Sequence, residues 1–265
     1  DTRLVKRCLK LFQHVYGRLM GKAQPHRMGT ENLRANQVAD FPMITLVILG
    51  WYVEHTGDLA FARKLYGPYR NMMERVLSSR EDDGLLAEQW VFIDWVPMVK
   101  ECRNTALHAV ACGALETLSR LAGKLGKKKD RQRYATAASE LAAGVRDAFW
   151  DPDTGAYRDG TKDGKPIDSY YPCSSAWPSV FGLTTDEQER RLRDYFDRTL
   201  PDLGTEAKKM RTSPYGGFYV LGALYRHGHV DVAERFIRGA WSRMVFAGAD
   251  TTWAHFDASS SQCHA

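Results

Sequence analysis

The side chains best suited to chemistry crowd into the last stretch of the chain, Phe246 to Ala265, where Trp253, His255, Phe256, Asp257, Cys263 and His264 sit close together. Trp253 and Phe256 offer flat apolar faces of the kind on which pyranose rings stack. Asp257 and the histidines offer hydrogen-bond partners for sugar hydroxyls. Gly248, Asp250, Thr251 and Thr252 favour turns and extended backbone, so this stretch is predicted to be a loop. Loops held by a rigid scaffold carry function more often than the elements they join. The same aromatics would serve equally as plugs in a helix bundle, and residue types alone leave both readings open. A second candidate is Trp90-Val91-Phe92-Ile93-Asp94-Trp95, an aspartate and a tryptophan among apolar residues outside any helical period. If Asp94 is buried, it must be paired.

The elements that position these residues read as helices. Leu4, Cys8, Leu11, Phe12, Val15 and Leu19 recur at helical spacing from Thr2 to about Leu19. Gly21 to Ala39 lacks a period and reads as a long connection that could line a cleft. Asp40, as N-cap with Pro42 in the first turn, opens a nearly uninterrupted apolar helix that Gly57 ends. Asp58 caps the next helix, which ends near Arg80, and the short turn between them makes an antiparallel pair. Asn104 caps a long helix stopping at Gly126, and a second pair follows through Phe149. Trp150 to Tyr157 carries turn chemistry between aromatic ends and predicts a small hairpin. Ser174 to Phe181 is a short helix interrupted near Pro178, and Thr184 with Glu187 forms a capping box. Ser213-Pro214 starts a helix ended near Gly228, and Asp231 caps the last one, which delivers the chain to the C-terminal loop. No pattern recurs at a fixed period, which disfavours solenoids. Long polar loops alternating with short turns suit an all-α toroid of helical hairpins, in which the long loops gather over one rim.

The 265 residues, 44% of them hydrophobic and 26% charged, have ordinary globular composition, and the net charge of +5 is modest. Its one concentration, Lys124 to Arg133, lacks interleaved aromatics and reads as a solvated turn, so nucleic acid is discounted as a partner. Five cysteines without Cys-x-x-Cys spacing argue against a structural zinc site and a complete disulfide framework. No run of about eighteen apolar residues spans a membrane, so no membrane partner is expected. His55, His108 and His227 lie in or at the ends of helical patterns and read as structural.

The run Gly248-Ala249-Asp250-Thr251-Thr252-Trp253, followed by His255-Phe256-Asp257 and Ser261-Gln262-Cys263-His264-Ala265, resembles the end of the catalytic domain in α-L-rhamnosidases of glycoside hydrolase family 78. That family carries a Gly-Ala-x-Thr-x-Trp-Glu motif there, with a Ser-x-Cys-His element close behind. The resemblance covers nearly the whole chain, from Asp40-Phe41-Pro42 through Asp94-Trp95 and Ser213-Pro214-Tyr215 to His264. It implies an α/α toroid of the six-hairpin glycosidase type, single over residues 1–265 and incomplete here. The general-acid motif would lie upstream of Asp1 and the final helices beyond Ala265, leaving the remainder of the catalytic domain as a partner. It also implies a rhamnosyl glycoside as substrate, an inverting mechanism and no cofactor. Asp94 and Trp95 then fall on sugar-contacting positions, Trp253 on a stacking wall and His264 on a hydroxyl-binding histidine. The departure is at Ala254, which stands where the family has the glutamate that activates water. A methyl group can neither accept a proton nor hold a water. The resemblance therefore implies either a glycosidase with an emptied base or a carbohydrate-binding domain on the same fold. A helical interaction scaffold is the third reading. Nothing in the sequence identifies the compartment.

Overall fold

The computed structural model describes residues 2–20, 39–200 and 211–256, with backbone alone for 14–20. The predicted connection over 21–39 falls almost wholly outside the described residues, as do Asp257, Cys263 and His264. Among the described residues nine helices carry the fold, and the strands are short, two to four residues each. The all-α expectation holds. The chain divides into two compact units, Asp1–Phe92 with Lys100–Asp147, and Ile93–Val99 with Ala148–Ala265.

The first unit contains α1 (Thr2–Met20), α2 (Asp40–Thr56), α3 (Leu59–Ser78), the hairpin β1 (Gln89–Trp90) and β2 (Glu101–Asn104), α4 (Thr105–Lys124) and most of α5 (Lys128–Phe149). α4 is its centre, with sixteen of its residues buried, because Ala, Gly and Cys on three sides let neighbours approach closely. α2 crosses it at Gly50, where a Cβ would lie 2.5 Å from Thr117 Cγ2. Asn104 caps α4 as predicted, accepting from the Leu107 N–H at 3.1 Å, and Asp58 caps α3, accepting from Phe61 N–H at 3.0 Å. Gly57 ends α2 in the left-handed conformation at φ 69°, which costs a residue without Cβ nothing.

Some local readings shift. Asp40 does not cap α2; it lies in the first turn, fully buried, and accepts from the Phe92 N–H at 3.4 Å. In α1 the inward residues are Leu9 and, less completely, Val5 and Phe12, whereas Leu4, Cys8 and Leu11 face outward. Both stripes have helical spacing, and packing selects one of them. Most of the basic run belongs to the first turns of α5, where Arg133 pairs with Glu74 at 2.5 Å; Lys127, just before the helix, lies over the Tyr66 ring at 5.3 Å.

His108 is structural, as its position suggested. Its Nδ1–H donates to the Asn104 carbonyl at 2.7 Å, and its Nε2 accepts from the Leu86 N–H at 2.9 Å, which fixes the neutral tautomer. Burial pushes its pKa down from 6.5 to about 4. The folded state therefore disfavours the proton. The associated stability is complete above pH 6.5 and is lost as pH falls from 6.5 through about 4. That contribution is about 3 kcal/mol. Urea unfolding at pH 7 and pH 4, compared between wild type and His108→Gln, should show a steeper acid loss in wild type; parallel losses would refute it.

The second unit contains the hairpins β3 (Trp150–Asp151) with β4 (Ala156–Tyr157) and β5 (Gly160–Lys162) with β6 (Lys165–Pro166). Its helices are α6 (Pro172–Val180), α7 (Asp186–Thr199), α8 (Pro214–Arg226) and α9 (Val230–Phe246). The first hairpin is the one predicted. The second has no sequence expectation, though Gly160 and Gly164 mark it in retrospect. α6 runs uninterrupted to Val180 with Pro178 inside. The capping box uses Thr185 and Gln188, one residue beyond the predicted pair, while the Thr184 hydroxyl turns to Glu189. Asp231 does not cap α9; it lies in the first turn and pairs with Arg193 at 2.9 Å.

α6 and α8 form the unit's principal packing. Trp177 stacks on Tyr219 with ring centroids 3.7 Å apart, and a Cβ at Gly222 would lie 3.3 Å from Val180 Cγ2. In both pairs the partners stand equally far from Pro172 and Pro214, so the helices run parallel and in register with their N-termini side by side.

Candidate active site

Each of these two N-termini receives a buried carboxylate from a loop. At α6, Asp159 Oδ1 accepts from the Tyr171 N–H at 2.8 Å and the Ser174 hydroxyl at 2.7 Å. Its Oδ2 is buried without a hydrogen-bond partner among the described residues. At α8, Asp94 accepts from the Trp95 N–H at 2.7 Å, the Ser213 N–H at 3.2 Å, the Thr212 hydroxyl at 3.0 Å and the Ser213 hydroxyl. A helix N-terminus suits such a partner, because its unpaired N–H groups and dipole favour negative charge. Burial pushes the Asp94 pKa up, against the hydrogen bonds from Ser213, Thr212 and the Trp95 backbone, which pull it down.

Asp94 approaches so closely because Gly216, in the first turn of α8, has no side chain. A Cβ there would lie 2.0 Å from Asp94 Oδ2 and 2.5 Å from Thr212 Oγ1. The neighbouring Ile93 adopts φ 54°, a conformation unfavourable for a β-branched residue, which its surroundings must therefore enforce. The segment Ile93–Val99 is thus anchored on α8 rather than loose.

That anchoring presents Trp95, whose side chain is among the large hydrophobic ones left in solvent, at 43% exposure. Its indole meets the His255 imidazole edge-on, with centroids 5.6 Å apart. As far as Phe256, the C-terminal stretch predicted to be a loop from Gly248 is one, and it reaches Trp95 through His255. Phe256 fixes this loop on α9: it is buried and packs edge-on against Trp241 at 4.8 Å and Phe236 at 6.2 Å. Of the two C-terminal aromatics first considered as sugar faces, Phe256 is a plug, and Trp253 is only 8% exposed. Ala254 sits between them at 7%.

Within one unit the structure brings His255, which follows Trp253 and Ala254 in the chain, onto Trp95, the neighbour of Asp94. Asp94 is expected on sequence grounds to touch sugar, but its carboxylate is fully buried and engaged with protein donors. His264 lies outside the described residues. Sequence reasoning missed Thr212 and Gly216 as partners of Asp94. It also missed Arg211, whose guanidinium lies 4.5 Å above the Tyr171 ring beside the α6 N-terminus. The Gly216-Gly217 pair at a helix start was the available signal of close approach. Among the described residues no three His, Cys, Asp or Glu side chains gather to hold a metal.

Comparison with known proteins bears on the fold and the family. No curated protein sequence matches the chain. Among solved structures, the family 78 rhamnosidase of Bacillus sp. GL1 matches all of the chain with TM-score 0.82 and 22% identity, and the chain spans 28% of that protein. A rhamnosidase from Klebsiella oxytoca, solved with rhamnose bound, matches 84% of the chain with TM-score 0.65 and 22% identity, over 40% of its own length. A family 63 mannosylglycerate hydrolase from Thermus thermophilus, in complex with glucose, matches 83% with TM-score 0.63 and 14% identity, over 71% of its length. These likenesses give the fold, the six-hairpin α/α type. The model of the bacterial α-L-rhamnosidase six-hairpin glycosidase domain matches residues 34–265, and the chain belongs to that family.

Proposed function

We propose that this chain is part of an inverting glycoside hydrolase acting on terminal α-L-rhamnose, with Ala254 at the position of the general base. The observation that carries the reading is the contact between Trp95 and His255, which joins two separately recognised sequence motifs at one exposed aromatic surface. Inverting hydrolysis needs an acid and a base roughly 6.5–9.5 Å apart, the base activating a water. Without the base, binding outlasts turnover. The substrate is then held by Trp95 at the surface, by the rim of Trp253 and by His255 and His264 as hydroxyl partners. The methyl group of Ala254 also favours a second reading, a carbohydrate-binding domain that retains the site and has lost the chemistry.

Fold does not choose the sugar, since the same architecture holds glucose in the Thermus hydrolase. Calorimetry of the full-length protein with L-rhamnose and with D-glucose tests the choice. L-rhamnose should bind in preference, and Trp95→Ala should weaken it about 10-fold through loss of the aromatic contact. Equal affinity for both sugars, or an unaffected Trp95→Ala variant, would remove the rhamnose assignment.

A further inference from the structure

We propose that Asp94 is a positioning residue, one that never touches the sugar and acts by clamping Trp95 against the N-terminus of α8; the sugar arm of this proposal rests on the reading above. Three features of the molecule lead to it. The carboxylate is fully buried, and its oxygens are taken by the Ser213 and Thr212 hydroxyls and by two backbone N–H groups. One of those N–H groups belongs to Trp95 itself, the residue whose ring is exposed next in the chain. The clamp holds Ile93 at φ 54°, so release would let the segment relax toward ordinary backbone angles and carry the indole away from His255.

The carboxylate is better suited to this task than its amide. The Trp95 and Ser213 N–H groups and the Thr212 and Ser213 hydroxyls all donate to the oxygens, and Asn at this position would turn an NH₂ group toward two of them.

A double-mutant cycle with L-rhamnose as probe, read by calorimetry on the full-length protein, separates clamping from contact. Asp94→Asn alone and Trp95→Ala alone should each weaken binding about 10-fold, and the double variant should be no weaker than Trp95→Ala within about 2-fold. A double variant about 100-fold weaker than wild type would overturn the proposal, since Asp94 would then act independently of Trp95. Hydrogen exchange without ligand gives the second arm. Asp94→Asn and Ser213→Ala should each speed exchange of the 93–99 amides about 10-fold or more while α4 amides stay unchanged. Unchanged exchange over 93–99 would overturn the clamp. If wild type takes up no L-rhamnose, the sugar reading falls, and the exchange arm decides the clamp by itself.

Discussion

Ala254→Glu should raise the release of L-rhamnose from an aryl rhamnoside by about 10² to 10⁴ in kcat, the usual contribution of a positioned general base. Ala254 follows Trp253 on the loop that contacts Trp95, and its 7% exposure means that a carboxylate there would be largely desolvated. Desolvation raises a carboxyl pKa toward the working range of a base. Binding should change little, because the new group contacts the attacking water rather than the ring, so KM should stay within about 3-fold while kcat rises. Rates of wild type and Ala254→Glu measured over pH 4 to 8 decide the matter. No gain at any pH would favour the binding-domain reading, and a gain in KM alone would show that position 254 is not where the base acts.

Gly216→Ala should destabilise the second unit by about 3–5 kcal/mol, the range for disrupting a buried, paired charge. The sign is the informative part. In most helices Gly→Ala stabilises by about 1 kcal/mol. Here the new methyl would stand 2.0 Å from Asp94 Oδ2 and 2.6 Å from its Cγ. Asp94 is short and held on all sides, so it cannot swing away without surrendering its hydrogen bonds to Ser213 and Thr212. Unfolding in urea of Gly216→Ala with and without Asp94→Ala tests the cause. The glycine substitution should cost much less once Asp94 is truncated, with the 2.5 Å approach to Thr212 Oγ1 as the remaining strain, whereas an equal loss in both backgrounds would place the strain elsewhere.

How much of this was legible beforehand depends on the range of each interaction. Caps at Asp58, Asn104 and Ser213 and the left-handed ends at Gly57, Gly126 and Gly228 act within four residues of chain, and all were readable. Where two adjacent residues could serve, as with Thr184 and Thr185, local chemistry did not choose between them. Asp40 and Asp231 have the right chemistry for a cap, but one takes a loop amide and the other an arginine from another helix. The two apolar stripes of α1 are equivalent until a neighbour covers one. The candidate site shows the same division. The motif residues around Trp253 and Asp94 could be named from the sequence. The burial of Asp94 and the exposure of Trp95 could not, because each depends on partners far along the chain; for Phe256 the plug and the sugar face were both open, and Trp241 and Phe236 decide between them.

The loan of Ile93–Val99 to the second unit also sets a timetable for the ribosome. Asp94 meets Ser213 across 119 residues, a span that takes roughly 6 to 24 s to synthesise at usual rates. Through that interval a half-made chain carries an acidic loop, and the tryptophan beside it, with nowhere yet to dock. Nascent chains stalled before α8 emerges should therefore expose Trp95 to a chaperone, and those stalled after it should not.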